Sequence, residues 1–255
     1  MILAIIGNKG GTGKTATSIS LAAGLALKGR RTLLIDLDSQ GSASLSLGVR
    51  RAAFDPSIAD VILAGRGLAG IIRKTSAEGL DLVTGSGALA DADVQLARIP
   101  GRESRLKAAL APILADYDFI ILDCPPSLSL LAINALVAAD AYLVPTPPEY
   151  LALEGLVGIT DAVQRIQAGI GTACQLAGIL LTRVDHRRKV TDEIVQVIRG
   201  HYKGQVFRAE IPVDVCLVEA PSFGQTIFQY DRGSAAAEAY RQLTDEIIRR
   251  KGRTS

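Results

Sequence analysis

The fold is decided by the stretch Ile2-Leu3-Ala4-Ile5-Ile6-Gly7-Asn8-Lys9-Gly10-Gly11-Thr12-Gly13-Lys14-Thr15. Its apolar run leads directly into a glycine-rich loop, and an apolar-periodic segment continues from Lys14 to Lys28. This order predicts a buried strand, a phosphate-binding loop and a helix. The alternative is a flexible turn after a strand. It is disfavoured because the loop has both the strand and the helix that the motif requires.

Two lysines of this loop predict how phosphates are held. Lys14 supplies a cation near the β- and γ-phosphates, and Thr15 is placed to bind Mg²⁺. Asn8 replaces the usual first glycine, and Lys9 fills the slot that defines a deviant form of the loop. Such a lysine points away from its own nucleotide in related folds, so it predicts an ATP-dependent homodimer in which Lys9 reaches the phosphate of a second subunit. The predicted nucleotide contacts are Lys9, Gly10, Gly11, Thr12, Gly13, Lys14, Thr15 and Ala16.

Composition agrees with one α/β domain over residues 1–255. The chain is 48% hydrophobic but only 4% aromatic and has no Trp, which is typical of aliphatic helices packed on a parallel sheet. Cys124, Cys174 and Cys216 are too few and too widely spaced for a disulfide framework or a four-cysteine metal site, so we expect buried, reduced thiols. No apolar run has membrane-spanning length, and we expect a soluble, cytoplasmic protein.

Alternating strand and helix patterns follow the loop. The pattern predicts a doubly wound, mostly parallel sheet flanked by helices, with nucleotide at the carboxyl ends of the strands. Predicted strands are Ile2–Ile6, Thr32–Asp36, Asp81–Thr84, Phe119–Leu122, Ala141–Val144 (ended by Pro145 and the pair Pro147-Pro148) and Leu176–Thr182. Predicted helices are Lys14–Lys28, Pro56–Leu63, Ser104–Leu114, Leu128–Ala138, Leu151–Gln167, Thr191–Ile198 and Ser234–Arg250.

Carboxylates at two predicted strand ends complete a phosphoryl-transfer site. Asp36 and Asp38 end the second strand, and Asp38 is predicted to orient the attacking water and to serve the metal. Asp123 ends another apolar strand and is predicted to hold Mg²⁺ through its water shell. Positioning and charge neutralisation suffice for slow ATP hydrolysis, so Lys9, Lys14 and Asp38 are the predicted catalytic residues. Capping of the next helix is the alternative role of Asp36 and Asp38.

The late strand ends predict contacts to adenine. Arg183 follows one strand, and Pro212 and Asp214 lie in a segment predicted to be a loop beyond the last strand. Ordinary loop chemistry is the alternative at these positions.

Charge alone does not indicate a nucleic-acid partner, since the formal net charge is +2. Positive charge is concentrated in His186-Arg187-Arg188-Lys189 and in Arg249-Arg250-Lys251-Gly252-Arg253, either as a DNA-facing surface or as a solvated face. Charge by itself favours the solvated face.

Five segments together resemble the ParA family of partition ATPases, over nearly the whole chain. They are Lys9–Thr15, Asp36–Gly41, Leu122–Pro126, Pro147–Gly155 and Glu219–Gln225. The resemblance implies a nucleotide-sandwich dimer formed with ATP, non-specific DNA binding in that state, and hydrolysis stimulated by a ParB-type centromere-binding partner. It assigns Lys9 as the signature lysine and Asp123 as the Mg²⁺-linked aspartate.

Two departures from the family pattern, at Val213 with Cys216 and at Ala16, affect what the resemblance implies. Val213 and Cys216 occupy slots that hold arginine in chromosomal relatives, so weaker DNA binding with a flatter salt dependence is expected. Ala16, where relatives often have threonine, should have little effect. No helix-turn-helix precedes the first strand, so operator-specific DNA recognition is not expected. The predicted substitute DNA contacts are Arg187, Arg188, Lys189, Arg199, Lys203 and Arg208.

Other functions of the same superfamily are the alternatives. A MinD-like membrane-cycling ATPase is disfavoured because the last residues, Ile247 to Ser255, are basic without bulky apolar side chains, so no stable membrane binding is expected. An ATPase that positions a chemoreceptor, flagellar or carboxysome cargo stays open. A redox protein resembling the nitrogenase iron protein would need a pair of cysteines at the dimer face, and a non-enzymatic scaffold would not need Asp38 and Asp123. The sequence therefore predicts a cytoplasmic, nucleoid-associated ATPase switch.

Overall fold

The first strand and the glycine-rich loop lie at the centre of one eight-stranded sheet. The computed structural model describes residues 1–252. The strand order is β3-β4-β2-β5-β1-β6-β7-β8, and only the β3–β4 pair is antiparallel, which confirms the predicted mostly parallel, doubly wound architecture. The strands are β1 Ile2–Ile5, β2 Thr32–Asp36, β3 Arg73–Lys74, β4 Leu80–Val83, β5 Phe119–Asp123, β6 Ala141–Thr146, β7 Gln175–Val184 and β8 Val206–Pro212.

Helices cover both faces of the sheet. The helices are α1 Lys14–Leu27, α2 Ser42–Ser46, α3 Ile58–Ala64, α4 Ala92–Leu96, α5 Arg105–Leu110, α6 Leu130–Ala138, α7 Ala152–Ile170, α8 Lys189–His201, α9 Cys216–Glu219, α10 Ile227–Tyr230 and α11 Ala235–Lys251. Short 3₁₀ turns occupy Arg51–Ala53, Leu68–Ile71, Gly87–Asp91, Arg102–Ser104, Ala111–Asp116 and Ala220–Phe223.

Each central strand is buried on both sides, which explains its continuous apolar sequence. In β1, Leu3 and Ile5 join the core on the side of α1 and α11, while Ile2 and Ala4 join the core on the opposite side. This alternation follows from the two-residue period of a strand. The carboxyl ends of β1, β2 and β5 therefore lie side by side between the two cores. The glycine-rich loop follows β1 at this edge of the sheet.

The predicted helix Ser104–Leu114 is shorter than expected. Regular α-helix α5 ends at Leu110, and a 3₁₀ turn replaces its continuation over Ala111–Asp116. Pro112 lies in that turn. Proline lacks the N–H that a helix interior needs and its ring clashes with the preceding turn, so the α-helix stops before it.

Pro145 does not end β6, contrary to the prediction. Ile6 donates its N–H to the carbonyl oxygen of Leu143, so the backbone of Leu143 faces β1. The backbone nitrogen of Pro145, two residues further along β6, faces the same side. The chain of β1 has already turned into the glycine loop there, and its ladder with β6 ends at Ile5–Leu143. The missing N–H of Pro145 therefore costs no sheet hydrogen bond, and β6 continues to Thr146.

Strand β8 replaces what the sequence predicted as a loop leading to Pro212. Phe207, Ala209 and Ile211 are buried while Arg208 is exposed, the alternation of an edge strand. The edge is protected by Glu246 of α11, which is 8% exposed and whose carboxylate accepts the backbone N–H groups of Arg208 and Ala209 at 3.1 and 2.8 Å.

Replacing Glu246 by alanine should lower the free energy of unfolding by about 2–4 kcal/mol, because two enclosed backbone donors lose their acceptor. Urea unfolding followed by circular dichroism measures this. Glu238, an exposed residue of the same helix paired with Arg241, is the control, and its alanine variant should change stability by less than about 0.5 kcal/mol. Equal effects of the two substitutions would contradict the edge-protection role.

The cysteines and the helices bear on two further predictions. Cys124 and Cys174 are buried, as predicted, but Cys216 is only half-buried because it begins the surface helix α9.

Among residues 1–252 no helix has the length and apolar character of a membrane span. The predicted basic tail extends to Arg253 and the predicted C-terminal segment to Ser255, and both of those ends lie outside the described residues.

Candidate functional site

The loop between β1 and α1 is shaped to hold an anion. Gly11 and Gly13 have φ angles of 74° and 89°, which side-chain-bearing residues rarely adopt. Gly13 precedes α1, no side chain caps that helix, and its first turn contains no acidic residue. The first N–H groups of a helix carry partial positive charge and need partners. The loop therefore presents backbone donors where the sequence predicted phosphates.

Lys14 lies inside the loop. It is 7% exposed, and its Nζ donates a hydrogen bond to the backbone carbonyl oxygen of Lys9 at 2.8 Å. Burial lowers the pKa of Lys14, and the nearby carboxylates of Asp123 and Asp38 act in the opposite direction. A buried ammonium with few partners favours an incoming anion, since the anion restores the lost solvation.

Asp123 joins the predicted metal residues into one cluster. Its carboxylate accepts the hydroxyl of Thr15 at 2.9 Å and the hydroxyl of Ser18 at 2.8 Å. Asp123 is paired in register with Asp36 on β2. Burial, followed by the nearby Asp36 carboxylate, raises the pKa of Asp123 to about 7. A divalent cation between Thr15 and Asp123 would favour the ionised carboxylate.

Asp36 fixes the position of Asp38. Its Oδ2 accepts the backbone N–H and the hydroxyl of Ser44 at 2.8 and 2.7 Å, and its Oδ1 accepts the N–H of Asp38 at 3.1 Å. Burial raises the pKa of Asp36 to about 6. The Ser44 contact lies in α2, so the helix-capping alternative describes Asp36 well. Asp38 is half-buried, and among residues 1–252 its carboxylate has only a local hydrogen bond, from the N–H of Gln40.

Gly85 forms the floor beneath these aspartates, and the sequence did not single it out. A Cβ there would lie 2.5 Å from the carbonyl oxygen of Asp38 and 3.1 Å from Cγ of Asp36. Its N–H donates to the hydroxyl of Ser44 at 3.1 Å. Only glycine permits this approach of two backbone segments.

The residues present fit ATP with Mg²⁺. Among residues 1–252, the buried hydroxyl of Thr12 in the loop has no hydrogen-bond partner, and buried polar groups ordinarily have one. Lys14, the loop N–H groups and Thr12 would hold the phosphates, while Thr15 and Asp123 would serve the metal. When bound, Mg²⁺ neutralises charge that develops on the transferred phosphate.

Lys9 differs from the other loop residues. Its side chain is exposed, and its ammonium has no ion-pair or hydrogen-bond partner in the part of the chain that the structure describes. Its backbone carbonyl, in contrast, faces inward to Lys14. The Lys9 ammonium is therefore available to a partner from outside this chain, and its reach to a second subunit's phosphate stays a prediction.

Of the residues predicted to contact adenine, Arg183 lies near the phosphate loop. Thr182, just before Arg183, donates its hydroxyl to the carbonyl oxygen of Thr12 at 2.9 Å. Arg183 has a φ of 55° and lies 3.8 Å from Glu149.

Pro212 ends β8 beside the end of β7. Asp214 uses both carboxylate oxygens to cap α9 and α11, accepting N–H groups of Cys216 and Ala236. The alternative of ordinary loop chemistry accounts for Asp214, and adenine contacts at the other positions stay a prediction.

The six predicted DNA contacts do not form one cluster. Arg187 is paired with Asp185 at 2.7 Å, and Arg199 with Glu210 at 2.7 Å. Helix α8 begins at Lys189 and ends before Lys203, so its length of about 20 Å separates the two ends of the set. Of the six, Arg188, Lys189, Lys203 and Arg208 are exposed and have no ion pair among residues 1–252.

His186 ties this basic loop to the sheet. Its Nδ1 lies 2.6 Å from Asp192 on α8, and its Nε2 lies 2.8 Å from Glu210 on β8. Both ring nitrogens face carboxylates, which only accept, so the doubly protonated ring fits. Hydrogen bonds to Asp192 and then to Glu210 raise the pKa of His186 above 6.5.

A pH titration by NMR should show this shift directly. Stabilisation by His186 should be complete below pH 6.5, its unfolded value, and should be lost as pH rises through the raised folded-state pKa. The chain has two histidines, so His186→Gln assigns the resonance by removing it. A folded-state pKa at or below 6.5 would contradict the bridge.

Four contributors to the site were not predicted from the sequence. Ser18 lies one turn after Thr15, and this helical spacing was the one local signal that could have found it. Ser44, Gly85 and Thr182 come from other segments and are brought in by the sheet. No spacing in the sequence indicates their contacts.

Comparisons with known proteins agree with this geometry. Residues 1–176 match a family described as an AAA domain. The chain is 42% identical over 249 residues to the chromosome partitioning protein ParA of Myxococcus xanthus, covering 98% of this chain and 88% of the relative. It is 40% identical over 246 residues to the sporulation initiation inhibitor protein Soj of Bacillus subtilis, covering 96% and 97%.

A solved structure extends the match to the fold. Cobyrinic acid a,c-diamide synthase from Mycobacterium smegmatis, with bound ATP analog and magnesium, has a TM-score of 0.86 and 32% identity, covering 100% of this chain and 96% of the other. The predicted ATP and Mg²⁺ agree with that protein and with the donors around Lys14 and Asp123. From the loop, the sheet and these relatives together, the chain belongs to the ParA family of partition ATPases.

Proposed function

We propose that the protein is an ATP-dependent switch for chromosome or plasmid partition, located in the cytoplasm on the nucleoid. Two copies join when ATP and Mg²⁺ are bound, the dimer binds DNA non-specifically, and a ParB-type partner stimulates hydrolysis. The partition role follows from the relatives named ParA and Soj. The dimer, the DNA and the partner are the parts that need experiment.

A single observation carries the switch: one loop lysine is buried and the other is exposed. Lys14 is buried within its own loop, while Lys9 is exposed beside it without a partner among residues 1–252. A second copy that approached this surface with its own loop would bring a phosphate charge to Lys9. Attraction between Lys9 and the terminal phosphate would then hold the pair, and loss of that phosphate would release it.

Roles within one copy follow from the contacts already described. Lys14 and the loop N–H groups bind phosphate, Thr15 and Asp123 serve the metal, and Asp38 orients water. Asp36 keeps Asp38 in place through the Asp38 N–H. Asp38 has one local side-chain hydrogen bond, to the N–H of Gln40, so its other oxygen stays available for a water molecule.

We propose that the protein binds DNA weakly and that its affinity for DNA falls only slightly as the salt concentration rises. Two of the six predicted cations are already paired with carboxylates, and paired cations release fewer counterions on binding. Val213 is exposed and Cys216 half-buried where relatives carry arginine. Arg188, Lys189, Lys203 and Arg208 are the remaining contacts proposed.

The membrane alternative is disfavoured by the packing of α11. Ile247 is 1% exposed and belongs to the core, and Ile248 packs partly against it. A helix that inserts into a membrane needs a free apolar face. The other-cargo alternative uses the same switch and stays a second candidate, which a DNA measurement separates from partition.

Retention of duplex DNA should be measured with ATP, with ADP and without nucleotide, over a range of salt. The partition proposal predicts retention only with ATP and Mg²⁺, with binding that falls as salt rises. The Lys14→Ala variant serves as a control that cannot use nucleotide. Retention that ignores nucleotide would contradict the switch, and absence of retention would favour the other-cargo function.

A further inference from the structure

Arg183 has an unusual backbone conformation. Its φ of 55° is the only positive φ angle of a non-glycine residue among residues 1–252. This left-handed conformation is unfavourable for a residue with a side chain, because Cβ crowds the following carbonyl oxygen. Such outliers persist only where the surrounding structure imposes them, and they cluster at functional sites. The conformation of Arg183 therefore indicates a role beyond the stability of β7.

A bulge in β7 produces this conformation. The pairs Leu181–Glu210 and Val184–Pro212 are three residues apart along β7 but two residues apart along β8, so β7 contains one extra residue here. The side chain of Arg183 is 61% exposed, although its neighbours on either side in the strand are buried. Bulges beside a functional site re-aim a side chain in this way.

The bulge lies directly beside the phosphate loop. Thr182 donates its hydroxyl to the carbonyl oxygen of Thr12 at 2.9 Å, and a Cβ on Gly13 would lie 3.6 Å from Cγ2 of Thr182. Gly13 immediately precedes α1, whose first N–H groups favour phosphate. The backbone of Arg183 is therefore fixed where its long side chain can contact a nucleotide held by the loop.

The guanidinium of Arg183 lies against the segment between β6 and α7. Its Nη1 lies 3.8 Å from Oε1 of Glu149, and the two side chains are 61% and 66% exposed. An exposed ion pair at this separation contributes little stability, so another ligand of the guanidinium can displace Glu149. Both residues line a cavity of about 300 Å³ together with the phosphate loop. Arg183 thus has two alternative contacts, a carboxylate and a nucleotide.

The segment 147–151 can respond to the loss of this ion pair. The side chain of Tyr150 is 93% exposed, and no side chain caps the N-terminus of α7. The backbone is held by local turns, in which Glu149 and Ala152 donate their N–H groups to the carbonyl oxygens of Pro147 and Glu149. Release of the Glu149 side chain therefore leaves the core intact and changes the surroundings of Tyr150.

We propose that ATP and Glu149 compete for Arg183, which makes Arg183 a nucleotide-sensing residue. When Arg183 contacts ATP, Glu149 is released and the segment 147–151 changes position. This segment and Lys9 line the same cavity, so occupancy of the loop alters the surface beside Lys9. The proposal rests on ATP binding, and it requires neither a second copy, nor DNA, nor a protein partner.

A double-mutant cycle tests the competition, with affinity for a non-hydrolysable ATP analogue and Mg²⁺ measured by calorimetry. Arg183→Asn should weaken binding about tenfold, the effect of one lost charge-assisted hydrogen bond. Asparagine tolerates the left-handed conformation, so the bulge is kept. Glu149→Gln removes the competitor and should strengthen binding about threefold. In the Arg183→Asn background, Glu149→Gln should have no effect.

Glu154, an exposed carboxylate on α7, is the matched control. Glu154→Gln should leave the affinity for the ATP analogue unchanged, and thermal melting checks that every variant is folded. Weaker binding in Glu149→Gln, or stronger binding that persists without Arg183, would contradict the competition. Failure of the original protein to bind ATP would instead contradict the ATPase function itself.

Movement of the segment has its own reporter. The chain contains no tryptophan, so Tyr150→Trp places a single fluorophore beside Glu149. It is carried in the Lys9→Ala background, in which two copies are not expected to join. Saturating ATP should change the tryptophan emission, and Glu149→Gln should produce the same change without ATP. The proposal is overturned if ATP binds without changing the emission, or if the change is equally large in Arg183→Asn.

Discussion

Replacing Lys14 by alanine is expected to lower kcat/KM for ATP by about 10³-fold. Lys14 is the buried cation of the loop, and its ammonium lies 2.8 Å from the carbonyl oxygen of Lys9, at the place where phosphate would bind. Removing one preorganised donor to a transition-state charge typically costs about 10²–10³-fold, and a cation on a transferred phosphoryl group more.

Steady-state release of phosphate measures this loss, and binding of a fluorescent ATP analogue separates affinity from turnover. Lys107, an exposed lysine of α5, provides the control, since Lys107→Ala leaves the loop intact. A Lys14→Ala protein that hydrolysed ATP within about threefold of the original would contradict the assignment of the loop.

Replacing Asp38 by asparagine should reduce ATP turnover by about 10²-fold and leave ATP binding nearly unchanged. The side chain of Asp38 is half-buried, and its one hydrogen bond is to the N–H of Gln40, so the substitution removes a charge without disturbing the packing. The role proposed for Asp38 is to orient the attacking water, which matters in the transition state and little in the ground state.

Single-turnover hydrolysis and equilibrium binding, measured on the same preparation, test this separation. Ser39→Ala, one residue further along the same loop, is the control for local disturbance. An Asp38→Asn protein that lost ATP binding in proportion to turnover would assign Asp38 to ground-state binding and would contradict its role in orienting water.

The phosphate loop was predictable because all its determinants are local. Its glycines, Lys14 and Thr15 lie within a few residues, and they follow a strand whose apolar run needs no tertiary information. The position of Asp123 beside Thr15 was also predictable, since parallel strands end at one edge of the sheet. Structure and sequence agree most closely at this edge.

Errors arose where distant segments decide the local conformation. Pro145 was predicted to end β6 because proline lacks an N–H. The hydrogen bonding between β1 and β6 ends before Pro145, so that N–H is not needed there. Strand β8 carries two charges, and Glu246, thirty-seven residues from Ala209, is what protects its edge. Gly85 gives no local signal because its role is a close approach to Asp38. Such contacts follow from the tertiary fold alone.

The residue types of the segment 213–223 were visible in the sequence, but the exposure of their side chains was not. The absence of arginine at Val213 and Cys216 predicted weaker DNA binding. The structure adds that apolar side chains are displayed there, among carboxylates, on a rigid segment.

The central claim is that Lys9 of one copy neutralises phosphate held by another. Sedimentation velocity with Mg²⁺ and ATP, in an Asp38→Asn background that slows hydrolysis, tests it most directly. We expect a species near twice the chain mass of 26.8 kDa. With Lys9→Ala added we expect monomer, although ATP is still bound. A Lys9→Ala protein that dimerises with ATP as fully as its parent would contradict the claim.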